Sequence, residues 1–188
     1  MNGHGAIRIF FITMLILLPC VSPSVDIFIL RHGKAEDAGP RGCDADRQLT
    51  KKGRDEIIAV AHWITAQGIR FDLVAASPLA RAQETAALVA DVLGIAEKLV
   101  TWRVLEPGGD PDAVCREIGR HPEGSSLLLV GHEPQLSSLI SRIISGDTGA
   151  GIAMTKGALA KIRNYSSAVR PSGELHWLLT AKQMAGRK

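Results

Sequence analysis

The chain has little of what would make it a disulfide, metal or nucleic-acid protein. Its 188 residues hold only three cysteines, Cys20, Cys43 and Cys115. An odd and widely spaced set implies no disulfide framework, although it leaves a single Cys43–Cys115 bridge open. No cysteine–histidine cluster has zinc spacing, and the carboxylates are not clustered as a metal hydrolase requires. The formal net charge is only +3 and the basic residues are dispersed, which argues against nucleic acid as a partner. There is no internal repeat and no low-complexity tract. With 46% hydrophobic residues, this leaves one globular domain large enough to bury a core.

The first residues stand apart from that domain. Arg8 precedes the apolar run Ile9-Phe10-Phe11-Ile12-Thr13-Met14-Leu15-Ile16-Leu17-Leu18, and Pro19-Cys20-Val21-Ser22-Pro23-Ser24 follows. The run is short for a membrane span. It resembles a secretory signal with a weak basic start and an imperfect small-residue cleavage site, and Pro19 before Cys20 argues against a lipoprotein site. The competing reading is a start assigned too early, with translation beginning at Val25. A leader over 1–24 and a domain over 25–188 are therefore expected.

From Val25 onward, strand and helix patterns alternate. Val25-Asp26-Ile27-Phe28-Ile29-Leu30 is short, β-branched and aromatic, and reads as a buried strand. It ends in Arg31-His32-Gly33. Phe71–Ala76 reads as a second strand, with Ser77 as helix cap and Pro78 as first helical residue. The helix runs from Ala80 to Leu93, stops at Gly94, and carries Arg81 in its first turn. Ser126–Val130 is another strand, leading into Gly131-His132 and a helix near Pro134, whose Leu136, Leu139, Ile140 and Ile143 share a face. Thr50 caps a helix with an Ile57, Val60, Ala61 and Ile64 stripe ending near Gly68. A strand over 98–102, a short helix over 112–120, and two final strands over 157–163 and 174–180 complete the pattern. The last two are separated by the turn-like Ser172-Gly173. The alternation implies an α/β fold with a mostly parallel sheet and an antiparallel edge.

Two histidines and two arginines thus fall just past strand ends, where open α/β sheets bind ligands. Arg31 beside His32 suits an anion that the histidine attacks. Gly33 would let the backbone turn and a ligand approach. Arg81 opposes the helix dipole unless an anion lies near. Arg41 and Arg47, in and beside a mobile loop over 39–46, could meet an acidic partner or simply face solvent. His4, His62, His121 and His176 are given no chemistry, and Trp63, Trp102 and Trp177 are expected in the core or at sheet edges.

Arg31-His32-Gly33, Ser77-Pro78-Leu79-Ala80-Arg81-Ala82 with Thr85, and Gly131-His132 resemble, in order, the motifs of the histidine phosphatase superfamily, which includes the phosphoglycerate mutases. The likeness runs from about Val25 to Leu179. Leu49-Thr50-Lys51-Lys52-Gly53 and Leu105-x-Pro107-x-Gly109-Asp110 resemble the small SixA-type phosphohistidine phosphatase branch. The resemblance implies a phosphoglycerate mutase-like three-layer sandwich, with helices on both faces of a central sheet. It also implies a metal-independent phosphatase that needs no cofactor and acts on phosphohistidine of a partner protein in signal transduction. Signalling phosphatases of this type resemble cytoplasmic proteins, which favours the later start and a cytoplasmic setting. A genuine signal would instead place the protein in the periplasm or outside, and a retained leader would need a membrane or a partner.

The residues and the resemblance give the same roles. His32 attacks phosphorus and carries a covalent phosphoryl group, with a backbone carbonyl fixing its tautomer. Arg31 and Arg81 bind the equatorial oxygens through planar forks that lysine lacks. His132, protonated when phosphate is bound, is a fourth donor. The general acid departs from the mutase pattern Leu-x-Glu. Here Val104-Leu105-Glu106-Pro107 displaces Glu106, and Asp110 competes with it. A weak or absent acid favours phosphohistidine, because a protonated imidazole leaves more readily than an alkoxide. The short connections leave little room for a cap, so the site is expected to be open. The alternatives are a small-molecule phosphomonoesterase or a mutase-like enzyme, and, outside enzymes, a phosphate-binding scaffold.

Overall fold

The run Val25–Arg31 forms a strand at the centre of a sheet because both of its faces are apolar. The computed structural model describes residues 24–39, 42–167 and 169–186. Six strands form one sheet: β1 (Val25–Arg31), β2 (Leu73–Ala76), β3 (Leu99–Thr101), β4 (Ser126–Gly131), β5 (Leu159–Ser166) and β6 (Ser172–Leu179). Their order is β3-β2-β4-β1-β5-β6. The first four run parallel, and β5 and β6 add an antiparallel edge. The helices are α1 (Lys51–Ala66), α2 (Ala80–Leu93), α3 (Pro111–Ile118), α4 (Gln135–Ser145) and α5 (Ala181–Met184).

Side-chain alternation along β1 and β4 divides the core in two. Ile27, Ile29, Leu127 and Leu129 face Val114 and Ile118 of α3, and Leu136, Leu139, Ile140 and Ile143 of α4. Phe28, Leu30, Leu128 and Val130 face Ile57, Val60 and Ile64 of α1, and Ala82, Ala86 and Val89 of α2. The result is the three-layer α/β sandwich expected from the sequence. Trp177 of β6 lies edge-on to both Phe28 and Trp63, at ring separations of 5.9 and 5.7 Å, and closes the second core at the sheet edge. No helix among the described residues is long and apolar enough to cross a membrane. Residues 1–23 of the expected leader, and Arg41, lie outside the described residues.

Several local expectations change. Ser77 does not cap α2 and Pro78 is not its first residue; the cap position is Leu79. The helix of 112–120 starts one residue earlier, where the Asp110 carboxylate caps it by accepting from Asp112 N–H (2.9 Å), and it stops at Ile118. The final hairpin is shifted, and Gly173 lies inside β6 rather than in a turn. A Cβ there would sit 2.8 Å from Ile162 Cγ2 and 2.9 Å from Ile143 Cγ2, so the glycine serves close packing. Cys43 and Cys115 are both free, the first exposed and the second buried on α3, so they form no bridge.

Gly33 also plays a different part from the one expected. A Cβ on it would lie 2.8 Å from Ile57 Cγ1, so its smallness lets the end of β1 press against α1. Gly53, in the first turn of α1, completes the contact, since a Cβ there would fall 2.1 Å from the Lys34 carbonyl oxygen. Thr50 fixes the same junction: its N–H donates to Lys34 O (2.8 Å) and its hydroxyl accepts from Gly53 N–H (2.9 Å). Gly53→Ala is expected to lower stability by about 1–3 kcal/mol through overpacking, read as a reduced urea midpoint. An unchanged midpoint would contradict this contact.

Candidate functional site

The site is built by strand register. Arg31 of β1 pairs with Gly131 of β4, so His32 and His132 leave neighbouring strands side by side. His32 N–H donates to Gly131 O (3.1 Å), and the two imidazole rings lie 4.9 Å apart. Beyond this point β1 leads to α1 on one face and β4 to α4 on the other, which opens a crevice at the sheet's carboxyl edge. β2 ends beside them, with Ser77 N–H donating to Val130 O (3.0 Å), and α2 then brings in Arg81. Thr85 ties the parts together. Its hydroxyl donates to Arg81 O (2.7 Å) and accepts from Gly33 N–H (3.1 Å).

Arg31, His32, Arg81 and His132 therefore line one cavity of about 290 Å³, completed by Arg47, Lys156, Asp44, Glu133 and Pro107. A larger groove of about 710 Å³ between α1 and α5 is lined by no histidine or arginine, and four of its charged side chains are paired along α1, Lys51 with Asp55 and Lys52 with Glu56. All four residues singled out from the sequence line the smaller one.

His32 is 7% exposed. Its Nδ1 lies 2.7 Å from the Gly33 carbonyl oxygen, which can only accept. The proton therefore sits on Nδ1, and Nε2 keeps its lone pair. Burial lowers the His32 pKa to about 4, assisted by the Arg81 and Arg31 charges against the opposing bond to Gly33. His32 is thus a neutral ring at pH 7 with a free lone pair on Nε2. Burial also lowers His132, to about 3, with the proximity of His32 adding to the effect. Arg31 Nη1 donates to Met154 O (2.6 Å). Its Nε, and Nδ1 of His132, are buried with no partner among the described residues. Both residues line the cavity, and each keeps a buried nitrogen whose hydrogen-bonding capacity is not used.

Arg81 is held differently. Its Nη1 donates to the Asp44 carbonyl (2.8 Å) and its Nη2 to the Asp44 carboxylate (3.1 Å). Arg47 Nη1 bonds the same carboxylate (2.8 Å), which keeps Asp44 below the usual carboxylate range. Asp44 belongs to a short 3-10 turn (Asp44–Asp46) in the loop expected to be mobile. Its carboxylate is 62% exposed and occupies the guanidinium that an oxyanion would use.

The structure separates the two acid candidates from the cavity lining. Asp110 is exposed: it caps α3 and pairs with Arg116 (3.3 Å), which draws its carboxyl below the usual range. Glu106 is half-buried at the end of a 3-10 turn (Arg103–Leu105), and its neighbour Pro107 lines the cavity in its place. Glu133 does line it, with Oε1 accepting from Ser137 N–H (3.1 Å) in the first turn of α4. Sequence reading missed Glu133, Asp44, Lys156 and Ser77. Glu133 was detectable from its place next to His132; Asp44 and Lys156 sit on loops whose path no periodicity reveals. Among the described residues no three His, Cys, Asp or Glu side chains form a metal cluster.

Residues 27–106 match the model of the histidine phosphatase superfamily (branch 1). The chain is 29% identical over 158 residues to the phosphohistidine phosphatase SixA of Escherichia coli, covering 83% of this chain and 94% of that one. A solved structure of the protein histidine phosphatase SixA complexed with tungstate superposes with a TM-score of 0.74 at 26% identity, over 85% of this chain and 99% of the other. A phosphoserine phosphatase of Entamoeba histolytica shares the fold at 13% identity, with a TM-score of 0.63 over 84% and 98% of the two chains.

Two outcomes test the geometry. Unfolded histidine titrates near pH 6.5. Between there and about pH 4 the unfolded chain binds more protons than the folded one, so stability must fall as the pH drops through that window. Urea midpoints at pH 7 and 4.5 should show this fall, reduced in His132→Asn; an identical fall in the variant would count against a buried neutral ring. Asp44→Ala removes the carboxylate that competes for Arg81. Orthovanadate should then inhibit about two- to fivefold more tightly, the worth of an exposed ion pair; weaker inhibition would make Asp44 a support rather than a competitor.

Proposed function

We propose that the chain is a member of the histidine phosphatase superfamily, a hydrolase of phosphate esters or phosphoramidates, and that it dephosphorylates phosphohistidine on a protein through a phosphoryl adduct on His32. Nε2 of His32 attacks phosphorus in line with the leaving nitrogen. The phosphorus–nitrogen bond breaks, its electron pair returns to the substrate imidazole, and that ring departs neutral because its other nitrogen already carries a proton. Gly33 O holds the His32 Nδ1 proton throughout. Arg31, Arg81 and His132, which line the same cavity, bind the equatorial oxygens as they gain charge. Water then attacks phospho-His32, releases inorganic phosphate and restores the free ring. This sequence needs no metal and no cofactor. The setting we favour is cytoplasmic signalling.

One observation carries the substrate class: neither Glu106 nor Asp110 lines the cavity that holds His32. An alkoxide leaving group needs a proton donor there, and a protonated imidazole does not. The likeness to SixA over most of both chains supports the same reading, and tungstate in that related structure is a phosphate-shaped oxyanion. The fold alone does not choose, since a phosphoserine phosphatase shares it. Glu133 favours a second reading, a small-molecule phosphomonoesterase in which its carboxyl is the proton donor.

The test is a substrate panel of a phosphohistidine phosphotransfer protein, a phosphoserine peptide and sugar phosphates. The phosphotransfer protein should turn over fastest, with full activity in chelator and little effect of Glu133→Gln. An acid-labile, base-stable phosphoenzyme should form, and His32→Ala should abolish it and lower turnover by roughly a thousandfold or more. Preference for sugar phosphates, with activity lost in Glu133→Gln, would establish the second reading instead.

A further inference from the structure

Ser77 is fully buried just past β2, and its hydroxyl proton needs an acceptor. Two groups lie within reach of Oγ. One is Leu79 N–H at 3.4 Å, which can only donate. The other is Nε2 of His132 at 2.9 Å. If Nε2 carried the ring proton, the Ser77 hydroxyl would have two donors aimed at it and nowhere to place its own proton. Nδ1 of His132, already buried without a partner, would then be a bare lone pair that no donor meets. With the proton on Nδ1, both faults vanish: the hydroxyl accepts from Leu79, donates to Nε2, and leaves Nδ1–H as a donor.

We propose that Ser77 is a positioning residue that locks His132 in the Nδ1–H tautomer, so that the neutral ring offers a donor to the oxyanion. The proposal rests on the reading of the cavity as an oxyanion site and adds how its fourth donor is set. Burial that keeps His132 neutral makes the tautomer decisive, because a neutral ring has one N–H to place. The expectation that His132 must be protonated to bind phosphate is then unnecessary. The same bond fixes ring orientation, since Ser77 is itself held by its N–H to Val130 O (3.0 Å) and by Gln83 Nε2 donating to its carbonyl (2.7 Å).

The experiment is two-bond ¹H–¹⁵N correlation of the histidine rings at pH 7, with His132→Gln used for assignment. Wild type should show His132 Nδ1 protonated and Nε2 bare. Ser77→Ala should gain the Nε2–H form, and its inhibition constant for orthovanadate should rise about tenfold, the worth of one hydrogen bond. Ser77→Thr, which keeps the hydroxyl, should restore the wild-type pattern. A wild-type ring protonated on Nε2, or a Ser77→Ala ring unchanged in tautomer, overturns the proposal. The wild-type spectrum decides even if a variant fails to fold. Because the tautomer is read without substrate, its outcome is separate from that of the substrate panel.

Discussion

The parallel, in-register pairing of β1 with β4 is the constraint on which the site depends. It fixes Arg31 opposite Gly131 and so sets the His32 and His132 rings 4.9 Å apart. The register cannot slip, because both faces of both strands are committed. A one-residue shift would exchange Ile27 and Ile29 with Phe28 and Leu30 between two differently shaped cores. Two residues far apart in sequence are therefore held together by two strands whose apolar side chains are almost entirely buried. The loops add Asp44, Arg47 and Lys156 around a pair of rings already placed.

Electrostatics follows from that placement. Four cations, Arg31, Arg47, Arg81 and Lys156, share the cavity with two carboxylates, Asp44 and Glu133. The histidines between them are buried and neutral. A neutral imidazole in a cationic cavity combines two properties that usually conflict: it keeps a free lone pair, and its surroundings favour an anion beside it. Asp44 partly balances Arg81 from an exposed turn, where an incoming oxyanion can replace it. On the proposed function, oxyanion binding would exchange one anion for another with more oxygens.

Much of this was legible in the sequence. The apolar runs ending in Arg31-His32 and Gly131-His132 marked the strands, and the helix formers from Ala80 to Leu93, stopping at Gly94, put Arg81 in the first turn of α2 even though the expected Ser77 cap and Pro78 start did not form. Periodicity reads such features because it reports burial. It fails where one residue has two possible partners. Ser77 has the composition of a helix cap, but its hydroxyl is drawn to His132, one strand away. Asp110 has the composition of an acid near the site, yet the start of α3 uses its carboxylate as a cap. Gly173 looks like a turn residue and is a packing residue of β6. In each case a tertiary neighbour outweighs the local preference, and no single-chain pattern contains that neighbour.

The central claim is that Arg31, Arg81, His132 and His32 converge on one tetrahedral oxyanion. A crystal structure of the protein with orthovanadate tests it most directly. The account predicts vanadium within bonding distance of His32 Nε2, with both guanidinium groups and His132 Nδ1 on its oxygens and the Asp44 carboxylate displaced from Arg81. Vanadate bound elsewhere, or bound here with His32 Nε2 turned away, would contradict it.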